Sequence, residues 1–301
     1  MTEEVLLPAN EIIVYLEPGI MGTMSADENP ENTGENGIPG NVILTAPQPG
    51  ESVVQAVYRL LNSPGVMYAE PNYLFYAQDD PEDDPSYYYP FTNDPLNKEH
   101  WALEEIQVHE AWSNVHEFLG SSPPAPVTVA VIDTGVDWDH EDFQYEDPES
   151  EGTIIYRVLE GYNTITETAG RDAADDDSFN GHGTHVAGII AAATGNGKGI
   201  TGIAGVYPVS ILPIKALGHS GTGTMLDIAE AIYYAADHGA DIINLSLGSR
   251  LPDFPKTLAD AVKYAQERDI VVIAAAGNDG GVVDGFYPAC LPGCTVGRSH
   301  K

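Results

Sequence analysis

The stretch VTVAVID, residues 127–133, is a near-continuous apolar run that closes on a carboxylate. Half-buried strands alternate apolar and polar side chains, whereas an unbroken apolar run reads as a strand covered on both faces. Such runs return further along, as VSILPIKAL (209–217), DIINLSL (241–247) and IVVIAAAGN (270–278). Helical patterns separate them. THVAGIIAAA (184–193) follows the first run; next, Met225, Ile228, Ala229, Ile232 and Ala236 share one face of a segment that ends at Gly239. TLADAVKYAQER (257–268) follows, with Thr257 and Asp260 at capping-box spacing. Apolar strands alternating with amphipathic helices predict an α/β fold, a mainly parallel sheet with helices on both faces.

Upstream the pattern changes. EIIVYLEPG (11–19) is strand-like, and SVVQAVYRLL (52–61) reads as a helix capped by Ser52, with Val54, Val57, Tyr58 and Leu61 on one face. GVMYAEPNYLFYA (65–77) reads as a closing strand. The polar stretch 25–41 between them reads as a long loop. Three units follow: a small α/β unit over 1–80, an acidic, Pro-rich linker over 81–96, and the larger α/β unit over 97–301.

The 301 residues carry 46 Asp plus Glu against 12 Lys plus Arg, a net charge of −34. A surface of that sign repels nucleic acid and anionic lipid, so neither is an expected partner. No apolar run is long enough to span a membrane, and the N-terminus lacks the basic start and apolar core of a signal peptide. Cys290 and Cys294 are too few for a disulfide framework; one local bridge and two free thiols both fit.

In parallel α/β sheets chemistry gathers at the carboxyl ends of the strands. Asp133 ends the first run, Asn278 follows the last, and His182 heads a helix inside NGHGTHVAGII (180–190). The positive end of a helix dipole favours neutral imidazole, the form a general base needs. A neighbouring carboxylate would hold the other ring nitrogen and stabilise the imidazolium formed in reaction. Gly183 and Gly188 would let the helix start tightly and pack against the sheet. Each feature alone has a plainer reading. DTG at 133–135 marks aspartic proteases, but a second copy is missing; His182 and His185 lack a third metal ligand at recognisable spacing; Asn after Gly is commonly a turn residue.

Together these blocks resemble one family. VAVIDTGVD (129–137), NGHGTHVAG (180–188), SGTGT (220–224), INLSLGS (243–249) and VVIAAAGNDGG (271–281) are similar, in order, to the blocks of subtilisin-like serine proteases of the thermitase-like kind. The resemblance implies a subtilisin-like peptidase domain, here its N-terminal two-thirds only, preceded by a small α+β ferredoxin-like propeptide. It implies Asp133 as triad acid, His182 as general base and Asn278 as oxyanion donor, with His185 structural. Gly221, Thr222 and Gly223 would pair with one side of an extended polypeptide substrate, and Ser246, Leu247 and Gly248 with the other; Ala275, Ala276 and Gly277 would form the far wall of the primary pocket. Asp142 and Asn196 match calcium ligands, so the implied ion is structural, and no cofactor is expected for catalysis. The family further implies a secreted enzyme, monomeric when complete, whose own propeptide fills its cleft. A non-catalytic inhibitor acting through the propeptide-like unit is the alternative reading.

The family's nucleophile block, GTSMA-like, does not occur. GTMSA (22–26) is scrambled and misplaced, and Ser299 stands in VGRSHK without a preceding Gly-Thr. One codon choice for residues 296–301, GTA GGC CGC AGT CAC AAA, becomes Val-Gly-Ala-Val-Thr on deleting a single C, which resembles the family's continuation. The expectation is therefore a frameshift or truncated gene model that ends the chain before its serine, leaving it inactive, with apolar surface uncovered.

Overall fold

The computed structural model describes residues 11–17, 41–49, 51–72, 74–77, 93–119, 124–146, 150, 152–175 and 181–297. GTMSA, Ser299, nearly all of the 25–41 loop and most of the 81–96 linker lie outside these residues. The first unit contains β1 (Ile12–Leu16), β2 (Val42–Thr45), α1 (Val53–Leu61) and β3 (Val66–Pro71). The strands form an antiparallel sheet in the order β2-β1-β3. Ile12, Val14 and Leu16 alternate onto one face of β1, where they meet Ala56 of α1 and Ala69 of β3. Ser52 caps α1 in a reciprocal capping box with Gln55.

The structure adds to one expectation for this unit and corrects another. The buried face of α1 carries Val53, Ala56, Val57 and Leu60, while Val54, Tyr58 and Leu61 are 53%, 67% and 41% exposed. The helix has two apolar stripes, and periodicity could not tell which one β1 would claim. The closing strand is in fact two: after β3, Asn72 breaks the ladder, and β4 (Leu74–Ala77) departs to another sheet.

The larger unit opens with α2 (Ala102–Glu105) and α3 (Val108–Leu119), then β5 (Val127–Asp133). Small strands follow: β6 (Gln144–Glu146), β7 (Ile154–Tyr156), β8 (Gly161–Asn163) and β9 (Thr168–Gly170). Next come α4 (His182–Ala191), β10 (Val209–Lys215), β11 (Thr222–Thr224), α5 (Met225–Asp237), β12 (Ile242–Leu245), β13 (Leu247–Arg250), α6 (Lys256–Gln266), β14 (Val271–Ala275), β15 (Phe286–Tyr287) and β16 (Thr295–Gly297). The central sheet runs β16-β14-β12-β5-β10-β8-β9. Its neighbours are parallel except β9, which turns back on β8.

Strand alternation divides the core. Ala130, Ile132, Ile243, Leu245, Val272 and Ala274 pack under α5 and α6 with Ile228, Ile232, Leu258 and Val262. On the opposite face Val129, Val131 and Ile211 meet Ala187 and Ala191 of α4. That second face is only partly covered. Ile242, Asn244 and Ile273 line an apolar groove of about 370 Å³ with Val115, Val129 and Ile190, and Val271 is 48% exposed. The run 241–247 also proved to be two strands. It breaks at Ser246, after which β13 leaves the central sheet.

Candidate active site

Asp133 closes β5 and His182 opens α4, so both stand at the carboxyl end of the sheet. His182 Nδ1 lies 2.7 Å from Asp133 Oδ1. The same oxygen accepts the Thr134 backbone N–H at 2.7 Å. Asp133 is fully buried and His182 nearly so. A carboxylate on Nδ1 selects the tautomer that donates from Nδ1 and leaves Nε2 as the proton acceptor. Burial pushes the Asp133 carboxyl above its usual range; the bonds from His182 and the Thr134 amide pull it back, and the Asp175 charge adds to the rise.

Local sequence explains how the strand end and helix start meet. Gly181 adopts φ +63°, a left-handed conformation that turns the chain into α4. A Cβ on Gly183 would stand 2.1 Å from the Gly135 carbonyl oxygen and 3.1 Å from Asp133 Cβ. Only a glycine lets the helix come this close. Gly183 N–H also donates to Thr134 Oγ1 at 2.9 Å. Thr184 donates through its N–H and hydroxyl to Asp175 Oδ2, and its Oγ1 accepts the Asp137 N–H at 2.9 Å. Gly188 has no such constraint: the nearest atom to an added Cβ is Ile200 Cδ1 at 3.8 Å. The expectation that Gly188 serves close packing is therefore corrected. His185 is exposed on the helix, away from this network.

Sequence reading missed Lys215. It pairs in register with Asp133 across β10 and β5, is buried, and donates through Nζ to the Thr134 carbonyl. A lysine ending an apolar strand beside the aspartate's strand was the available signal.

Gly221, Thr222 and Gly223 lie at or beside β11, and Ser246, Leu247 and Gly248 lie at the start of β13. The structure seats β4 between the two strands. Its antiparallel pairings are Thr222↔Tyr76 and Gly223↔Phe75 on one side, Leu247↔Ala77 and Gly248↔Tyr76 on the other. Ser246 Oγ accepts the Asn244 amide at 2.9 Å. Ala275, Ala276, Gly277 and the exposed Asn278 follow at the carboxyl end of β14, with Gly277 at φ +83°.

Asp142 and Asn196 also meet. Asp142 Oδ1 accepts the Asn196 amide at 3.2 Å, and Oδ2 accepts the Ile200 N–H at 2.8 Å. Burial pushes the Asp142 carboxyl up, against these donors. Asp94, absent from the sequence reading, adds a second carboxylate to the same loop by accepting from Gly195 N–H, Gly197 N–H and Thr201 Oγ1. Among the described residues, three or more His, Cys, Asp or Glu side chains nowhere gather as a metal-binding group. Cys290 and Cys294 stand as free thiols; burial and the neighbouring Cys290 push that of Cys294 up to about 11.

A sequence model of the subtilase family, Peptidase_S8, matches residues 125–295. The chain belongs to the subtilase family. It is similar to the thermophilic serine proteinase of Bacillus sp. (strain AK1), 42% identical over 238 residues, 78% of this chain and 50% of that protein. Thermitase of Thermoactinomyces vulgaris is 38% identical over 203 residues, 65% of this chain and 61% of thermitase. Among solved structures, fervidolysin of Fervidobacterium pennivorans, a keratinolytic enzyme related to subtilisin, superposes with a TM-score of 0.68 at 26% identity, covering 98% of this chain and 44% of fervidolysin. The subtilase chain thus spans about half the length of the relatives it matches. Its fold is subtilisin-like. No helix among the described residues is long and apolar enough to cross a membrane.

Proposed function

We propose that this subtilase chain is part of an endopeptidase precursor that hydrolyses polypeptides by acyl transfer, completed by a serine from sequence outside these 301 residues. The observation that carries this reading is the 2.7 Å contact between His182 Nδ1 and the buried Asp133. His182 would take the serine proton through Nε2, and Asp133 would hold the ring and stabilise the imidazolium. Asn278 would donate to the developing oxyanion. Gly221–Gly223 and Ser246–Gly248 would bind substrate as an added strand, with Ala275–Gly277 as the far wall. The present chain lacks the nucleophile and would be inactive on its own. The apolar groove over Ile242 and Ile273 is a surface that a further helix would cover.

The unit over 1–80 acts as propeptide in this reading, and β4, lying where substrate would pair, supports an inhibitory role in cis. Secretion and a monomeric complete enzyme are what the family resemblance implies. Asp142 and Asp94, whose oxygens accept loop N–H groups here, and Asn196 would hold a structural calcium ion if the loop took one up, a role apart from proton transfer.

The test is translation and expression of the coding DNA past Lys301. A downstream Gly-Thr-Ser-Met-like block, giving a protein that digests casein and is inactivated by a serine-directed reagent, is expected. His182→Ala in that protein should then lower kcat by roughly 10⁴-fold or more. Absence of such a block in every frame contradicts the reading. The seating of β4 also favours a second role, inhibition of other subtilases. Tight, saturable inhibition of thermitase by the intact chain would support it.

A further inference from the structure

One aromatic ring packs against two glycines, Gly248 and Gly277, in the two segments expected to wall the primary pocket. A Cβ on Gly248 would lie 2.5 Å from Phe286 Cε1 and Cζ. A Cβ on Gly277 would lie 3.0 Å from Phe286 Cζ and 3.2–3.3 Å from the two Cε atoms. The tip of the ring thus lies against both glycine backbones. Phe286 is only 6% exposed and belongs to the main core cluster.

The ring is held in place. Phe286 pairs with Arg250 across β15 and β13, donates its N–H to the Val283 carbonyl at 2.8 Å, and accepts the Cys290 N–H at 2.9 Å. The Arg250 guanidinium, 5.8 Å from the ring centre, binds Asp279 and the carbonyls of Val282 and Asp284, which fixes the loop that leads back to Phe286. The register of β4 fixes where a paired substrate would lie. Tyr76 stands opposite Gly248 and Ala77 opposite Leu247. A substrate keeping this register presents its next residue beside Ser246, two positions before Gly248 on the same wall.

We propose that Phe286 closes this slot and restricts the entering substrate side chain to that of glycine, alanine or serine. The inference rests on the peptidase reading and names the substrate class for the same cleft. In an apolar pocket one methylene already discriminates about 10–200-fold, so a ring in the slot excludes large residues unless it is displaced from its packing.

The experiment is an NMR titration of the intact chain with N-acetyl-phenylalaninamide, followed at the Gly248 and Gly277 amides. The wild type is expected to give no saturable shift, and Phe286→Ala to give saturable shifts at both glycines, at least about tenfold tighter than any wild-type response. Phe286→Leu keeps the core filled and should fall between, which covers the case of an alanine variant that loses its fold. Equal responses in wild type and variants overturn the closure; folded variants with silent glycines overturn the slot itself. The His182 Nδ1–H resonance in the same spectra reads the parent proposal separately. Its absence sinks the peptidase reading whatever the glycines do, while its presence beside silent glycines sinks only this inference.

Discussion

At the scale of single residues, Gly183 and Gly188 make a matched pair on one helix. Gly183→Ala puts a methyl into the Gly135 carbonyl at 2.1 Å, and the α4–β5 joint must open. The expected cost is about 3 kcal/mol or more, read by denaturant unfolding, together with loss of the Asp133–His182 bond. Gly188→Ala meets nothing closer than 3.8 Å and should stabilise by about 0.5–1 kcal/mol through helix propensity. Equal effects at the two positions would contradict this account. Asp133 and His182 were legible because strand ends and helix starts are where α/β folds do chemistry. Lys215, Asp94 and Glu70 were not. Their partners lie far away in sequence, and a charged side chain is ordinary on a surface until the fold buries it.

Among the elements, strand and helix order in the larger unit could be read directly, since near-continuous apolar runs admit few alternatives to a covered parallel sheet. Caps and breaks proved harder. The spacing of Thr257 and Asp260 suggested a capping box, but α6 starts at Lys256 after Pro255, and its first amides are satisfied from the other unit. Glu70 of β3 accepts the Lys256 N–H at 3.0 Å and the Thr257 N–H at 2.8 Å, as well as the Thr257 hydroxyl. Asn72 likewise accepts the Leu226 N–H in the first turn of α5 at 3.0 Å. Burial pushes the Glu70 carboxyl up to about 7, against the Thr257 and Lys256 bonds that lower it. A carboxyl whose folded value is raised binds its proton more tightly when folded, so its contribution to stability falls as pH rises from about 4.5 to 7. At about 1.4 kcal/mol per pKa unit the loss is on the order of 3 kcal/mol. Glu230, also pushed up to about 7 by burial, acts with the same sign, so the contrast with a variant is the useful measurement. Denaturant unfolding at pH 5 and pH 8 should show a smaller drop for Glu70→Gln than for wild type. Parallel drops would contradict the joint described here.

For the molecule as a whole, the sheet has one face sealed by α5 and α6 and the other only partly covered by α4. Adjacent residues of β14 report the two sides. Val272 is 1% exposed and Val271 48%. Val272→Ser should destabilise by about 2–3 kcal/mol, whereas Val271→Ser should change stability by less than about 0.5 kcal/mol and reduce binding of a hydrophobic dye. Similar costs at both sites would mean that the second face is already sealed. Uncovered strand edges and helix faces were expected from the sequence; the exposed apolar surface seen here is a sheet face over Ile242 and Ile273, and strand periodicity alone does not say which face of a sheet helices leave open. Everything proposed for this subtilase depends on the imidazole and carboxylate at the sheet's carboxyl end being joined before any nucleophile arrives. Proton NMR of the intact chain measures that directly: a strongly downfield His182 Nδ1–H resonance should be present in the wild type and lost or moved far upfield in Asp133→Asn. A wild-type spectrum without that resonance, or one that Asp133→Asn leaves unchanged, would contradict the account.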